Sequence, residues 1–320
     1  MDLLKLIKEK SKAFSRTEHV SGIESVIGHI EIAERHLNQG KKGADYLFND
    51  VIYRTNQAFE GSLKEAYNVL TGNKSGKKTP NDIEKYLESN NLLKERVLAL
   101  FSNYRKEWRN KSTHDYKLYF SEQEAFLAIV NISAFFNILL DQMLEKVAYE
   151  QEKIKAGQIP IHTPKSYSKL EFTNQVTELL RNFSKELPYR ASGTTQPRLF
   201  EREVVGMLSG YLNAADPQIE VYTEYSIPID DGMRRMMADF LLKKGDQQVI
   251  IELKMPSIHV TRRRRDGREQ LFSYMAAANV ENGVLFFPPV SSKQELIIEQ
   301  VTRNIANVTQ TIFEIYPKNA

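Results

Sequence analysis

Apolar residues recur at helical spacing through the first half of the chain, then give way to short apolar and alternating runs in the second. From residue 1 to about 158 the pattern is helical throughout. Ile23, Ile27, Ile30 and Ala33 mark a helix over Gly22 to Leu37, punctuated by Gly40 and Gly43. Leu47, Ile52, Phe59, Leu63 and Val69 mark a long one over Asp45 to Leu70. The Gly/Lys/Ser stretch Thr71 to Pro80 separates that pair from a third helix near Asn81 to Trp108. A fourth begins at Ser121, whose hydroxyl and Glu124 three residues later form a capping-box signature. Four helices joined by short loops predict an antiparallel bundle.

Residues 158–165 hold two prolines and no periodicity, the pattern of a linker. A helix over Lys169 to Leu187 follows, then a second break over Pro188 to Pro197. Beyond it a helix (Leu199 to Leu212) leads into three runs of strand character: Glu220 to Ile227, Met233 to Leu242 and Gln248 to Lys254. A helix (Asp266 to Ala278), an apolar strand (Gly283 to Phe287) and a last helix (Lys293 to Thr309) complete the chain. The expected architecture is multidomain. It has an all-α bundle over residues 1–158, a linker with one helix over 159–197, and an α/β domain with a mixed sheet over 198–320.

Composition narrows the chemistry. The 320 residues are 41% hydrophobic and 27% charged, which is globular usage. A net charge of +3 is too small to imply a polyanionic partner, so any nucleic-acid affinity must come from local patches. The absence of cysteine excludes disulfides, a thiolate nucleophile and Cys-ligated metals. The first twelve residues alternate Leu and Ile with Lys and lack the apolar core of a signal peptide. The longest apolar stretch, Ala125 to Leu140, is interrupted by Asn131, Ser133 and Asn137. It falls short of the roughly 18 unbroken apolar residues of a spanning helix. A soluble, cytoplasmic protein without a membrane segment is expected.

One cluster in the second half carries chemistry. Glu252-Leu253-Lys254, the only Glu-x-Lys in the chain, closes the apolar run Val249-Ile250-Ile251, and its acid and base share one face of the strand. The preceding strand holds Asp239. A two-residue Gly245-Asp246 hairpin loop sets a register that places Asp239 directly opposite Glu252. Facing carboxylates repel and desolvate poorly, and a divalent cation between them relieves both costs. Oxygen ligands of this kind suit Mg²⁺ or Mn²⁺. Lys254 can orient a water or stabilise charge developing on a phosphate, as metal-dependent phosphodiester hydrolysis requires. The plainer reading is an edge hairpin with a solvated polar face.

Asp239, twelve intervening residues and Glu252-Leu253-Lys254 on adjacent strands, after a helix carrying an acid, resemble the PD-(D/E)xK nuclease superfamily over about residues 198–290. The resemblance makes Asp239 and Glu252 metal ligands and Lys254 the catalytic lysine, with Ala238 where the family often has proline. Gln270 and Tyr274, four residues apart on one helix face, resemble the Gln-x-x-x-Tyr motif of the RecB-like branch, whose residues line the site. The helical acid is Glu201 or Glu203. On a helical wheel Glu201 falls within the apolar face of Phe200, Val204, Met207, Leu208 and Tyr211, so Glu201 is the expected third ligand. The run Arg262, Arg263, Arg264, Arg265, with Arg268, reads as solvated loop or, beside such a site, as a grip on the substrate backbone.

The helical half holds a second candidate, Trp108-Arg109-Asn110 followed by His114. A histidine can act as general base toward a ribose 2′-hydroxyl while an arginine stabilises the anionic phosphate, and such a site cuts RNA only. The plainer reading is a helix-end arginine packed on Trp108 and a surface histidine. Placed between the last two helices of a bundle, this Arg-polar-x3-His string resembles the ribonuclease motif of the HEPN superfamily, over about residues 20–150. The resemblance puts Arg109, Asn110 and His114 at the motif positions and Glu60 at the acid many members carry on the preceding long helix. It also implies a homodimer with a composite, metal-free site, or a domain that has lost catalysis and serves assembly or sensing. His19, His29, His36, His162 and His259 show no paired ligand spacing.

Together these features lead to an expected nuclease effector of the kind found in bacterial defence and restriction. Its C-terminal domain would use Mg²⁺ or Mn²⁺ to cut DNA. Its N-terminal domain would cut RNA without metal or serve only in dimerisation, with a regulatory partner or signal for control. A nucleic-acid-binding assembly protein without catalysis is the alternative from another class.

Overall fold

The computed structural model describes residues 2–110, 119–158, 167–188, 199–229, 234–255, 260–291, 294–305 and 308–318. The chain forms two compact units, Met1–Val147 and Ala148–Ala320.

The first unit is helical: α1 (Leu3–Ser11), α2 (Val20–Gly40), α3 (Leu47–Thr71), α4 (Pro80–Ser89), α5 (Glu95–Tyr104) and the larger part of α6 (Glu122–Gln158). Phe59 stacks on Phe101 and Tyr104 and meets the tilted ring of Phe135, tying α3, α5 and α6 together. Lys10 holds α1 to α6 through Asp141 at 2.7 Å and the Asn137 carbonyl. Ser121 and Glu124 close the expected capping box at the start of α6. By length and composition α6 could cross a membrane, but most of its apolar stretch is buried inside the structure.

The third helix expected over Asn81 to Trp108 is instead broken. Asn91 adopts φ +50°, and the Leu92 N–H reaches back to the Leu87 carbonyl, ending α4 with a left-handed cap. Gln142 of α6 then bonds the Leu92 carbonyl and the Lys94 N–H across the break. After α5 the chain makes one π-helical turn over Arg105–Arg109.

The second unit is α/β. Its six-stranded mixed sheet runs β1-β2-β3-β4-β6-β5, with β1 (Glu220–Ile229), β2 (Arg234–Lys244), β3 (Gln247–Leu253), β4 (Asn282–Phe286), β5 (Leu296–Ile305) and β6 (Val308–Pro317). β3, β4 and β6 are parallel to one another, and the remaining pairings are antiparallel. One side of the sheet packs on α7 (Phe172–Glu186) and α8 (Glu201–Ala215) through Val176, Leu180, Val205 and Leu208 against Phe240, Ile251 and Phe286. The other side packs on α9 (Val260–Ala278) through Leu271 and Met275 against Leu241, Ile250 and Leu285. Gly283 on β4 leaves room for Met275 and Leu271, since a Cβ there would stand 2.6 Å from the Met275 sulfur. The helix read from the sequence as part of a linker thus builds the core of this unit as α7.

The helix expected over Lys293 to Thr309 is in fact the hairpin β5–β6. Leu296, Ile297 and Val301 fit a helical period. The β-branched density of Ile297, Ile298, Val301, Thr302, Val308, Thr309, Thr311 and Ile312 favours the pleated form, and β6 completes the parallel core beside β4.

Glu314 on β6 lies at 0% exposure, with both carboxylate oxygens bound by Arg264 and Arg268 of α9. Arg264 also bonds Glu299 and stacks 3.5 Å from the Tyr316 ring centre. Glu314→Gln leaves this arginine pair short of its counter-charge at a buried position, and it should cost roughly 2–4 kcal/mol in denaturant unfolding. Loss of less than half a kcal/mol would contradict the clamp.

Candidate active site

The Gly245–Asp246 turn forms as the sequence suggests, with Gly245 at φ +59° and Lys244 opposite Gln247. The register carries through to Phe240 opposite Ile251, the last pair before Asp239 and Glu252. There the two strands part. Asp239 turns its carboxylate into the gap and accepts the Leu253 N–H at 2.7 Å. Glu252 lies almost fully buried next to it.

Two carboxylates share this opening at high electrostatic cost. Burial, then the charge of Glu252, pushes the Asp239 carboxyl up to about 7. Burial also raises Glu252, against the opposing pull of Lys254. Lys254 Nζ bonds Glu252 Oε1 at 2.6 Å and Gln270 Oε1 at 2.8 Å, and Gln270 Nε2 in turn donates to the Tyr274 hydroxyl. The structure therefore brings Glu252, Lys254, Gln270 and Tyr274 into one hydrogen-bonded chain, with the Asp239 carboxylate close enough to Glu252 to feel its charge. Gln270 and Tyr274 reach it from α9, one turn apart, the helix packing against β4 through Leu271 and Met275.

Glu252 Oε2 is buried and makes no hydrogen bond among the described residues. An orphaned carboxylate oxygen beside a second raised carboxylate is a fit for a divalent cation, and the donor set is all oxygen. Glu201 opens α8 and lies near enough for its charge to raise both Asp239 and Glu252. It is exposed, and does not sit on the buried helix face the wheel suggested. Glu203 instead caps its own helix, accepting the Phe200 N–H. No three acidic or imidazole groups converge on a single point among the described residues. Asp239 and Glu252 are therefore the pair, with Glu201 at longer reach.

The arginine run is helical, opening α9, and its members differ. Arg264 and Arg268 are engaged by Glu314, as described above. Arg263 bonds the Met255 carbonyl, while Arg262 and Arg265 have side chains 80% and 74% exposed, each pairing with Asp266.

In the helical unit Arg109 sits at the end of the π turn, against two carboxylates. Its guanidinium bonds Glu84 at 2.5 Å and approaches Glu60 at 3.4 Å. Glu84 is 3% exposed, and burial raises its carboxyl against the pull of Arg109 and Arg105. Sequence reasoning anticipated Glu60 but not Glu84. Asn110 is exposed, and His114 lies outside the described residues.

Comparisons with protein-family models, with curated proteins and with solved structures found no match to this chain.

Proposed function

We propose that the α/β unit is a divalent-metal-dependent phosphodiesterase acting on DNA, of the PD-(D/E)xK kind. The observation that carries this reading is the buried Asp239–Glu252 pair, with its orphaned oxygen and Lys254 alongside. Asp239 and Glu252, with Glu201 near them, would hold Mg²⁺ or Mn²⁺, which when bound supplies Lewis acidity toward the phosphodiester. Lys254 donates its remaining N–H to the attacking water or to the phosphoryl oxygen on which charge gathers. Gln270 fixes the ammonium in place, and Tyr274 fixes the rotamer of Gln270. The phosphate grip suggested by the arginine run falls to Arg262, Arg263 and Arg265. Replacing Arg262 and Arg265 together by alanine should weaken DNA binding and flatten its dependence on log salt by about 2 in slope. An unchanged slope would count against that grip.

For the helical unit a HEPN-like dimerisation or sensor module is favoured over an active ribonuclease, because Arg109 is already held by the buried Glu84. The setting is a bacterial defence or restriction effector in the cytoplasm. Incubation with plasmid and with total RNA, each in Mg²⁺ and in EDTA, tests both units together. The expected result is DNA loss in Mg²⁺ only. RNA loss that persists in EDTA and vanishes in His114→Ala would overturn the inert helical unit.

A further inference from the structure

One residue of β1 breaks the sheet's geometry. Every position of β1 from Glu220 to Ile229 pairs with β2 except Glu224, which falls between Thr223–Phe240 and Tyr225–Ala238, across from Asp239. Its backbone sits at φ +48°. A left-handed glutamate in mid-strand is strained, and such strain persists only where surrounding contacts enforce it. The enforcing contact is plain. The Glu224 carboxylate meets Arg202 Nη2 at 2.5 Å, and both side chains are largely buried, at 14% and 17% exposure. Arg202 is the second residue of α8, and Glu201 precedes it. The pair thus ties the first turn of α8 to the strand next to Asp239.

We infer that Glu224 is a positioning residue. Through Arg202 it fixes the first turn of α8, so that Glu201 is presented to the Asp239–Glu252 pair, and the strained strand is the cost of that placement. Sequence periodicity carries no mark of it, because an acid in an alternating strand reads as solvated. The geometry asks for a partner acid that acts without touching the ion: Glu224 is occupied by Arg202, whereas Glu201, one residue along, faces solvent at the edge of the site. This inference rests on the metal-dependent reading above.

The test is Mn²⁺ binding by calorimetry to the full chain, with melting of the metal-free protein as the check on folding. Glu224→Gln is expected to weaken Mn²⁺ about tenfold, as outer residues that orient ligands commonly do. Glu201→Gln should weaken it by a similar factor, and the double variant should lose little more than either single one, since the first acts through the second. The pair-reversed variant Arg202→Glu/Glu224→Arg should recover part of the loss. Unchanged Mn²⁺ affinity in Glu224→Gln, or fully additive losses in the double variant, would overturn the inference while leaving the metal site intact. Should the parent protein bind no Mn²⁺ in an Asp239-dependent way, the metal-site reading and this inference fall together. Should Glu224→Gln fail to fold, Glu224→Gly, which removes the carboxylate and relieves the backbone, carries the same expectation.

Discussion

Lys254→Ala should lower Mg²⁺-dependent DNA cleavage by about 1,000-fold or more while leaving Mn²⁺ binding intact or tighter. The ammonium stands between Glu252 and Gln270, so in the proposed reaction its loss would remove a cation placed to stabilise charge on the phosphate. The same substitution strips Glu252 of the ammonium that pairs with it at 2.6 Å, which increases the demand of the carboxylate pair for a divalent ion. Turnover and metal affinity therefore move in different directions. A merely structural lysine would instead lower both, or lower the melting temperature with little effect on rate.

The second large effect concerns stability and its sign. In the folded protein the Asp239 carboxyl is pushed up to about 7 from an ordinary value of 3.8, by burial and by Glu252. The native state then holds a proton that the unfolded chain has released. The resulting penalty is absent below about pH 4, grows as pH rises toward 7, and is fully present above that. A shift of this size corresponds to roughly 4 kcal/mol. Asp239→Asn keeps an acceptor for the Leu253 N–H and cannot ionise. It should therefore melt higher than the parent by about 5–10 °C at pH 8 without metal, with the gap closing near pH 4. Saturating Mg²⁺ should raise the parent's melting temperature at pH 8 and leave the variant unmoved. A variant less stable than its parent at pH 8 would show that Asp239 is a structural acid.

Much of this site was legible because its determinants are local. The Gly245–Asp246 turn fixes the register of two adjacent strands, so the juxtaposition of Asp239 and Glu252 follows from a dozen residues. Gln270 and Tyr274 could be paired because helical spacing alone puts them on one face. What could not be read depends on distant partners. Glu314 is an acid in an apolar strand, and nothing nearby reveals that Arg264 and Arg268, some fifty residues earlier, bind it. The same contacts explain why the arginine run looked uniform in sequence and is divided in the fold. Glu84 escaped notice because its partner Arg109 lies across a helix break that the periodicity smoothed over at Asn91. The β5–β6 hairpin was hidden by apolar positions that fit a helical period as well as a strand, and pairing with β4 decided the outcome. The parting of β2 and β3 at Asp239, and the strained Glu224 beside it, are tertiary features with no sequence signature.

Plasmid cleavage by the parent protein and by Asp239→Asn, each in Mg²⁺ and in EDTA, decides whether Asp239 and Glu252 assemble a metal-dependent DNA-cleaving site as proposed. The expected result is nicking or loss of plasmid by the parent in Mg²⁺, none in EDTA, and none by the folded variant in either. Cleavage by Asp239→Asn at the parent's rate, or cleavage by the parent undiminished in EDTA, would contradict it.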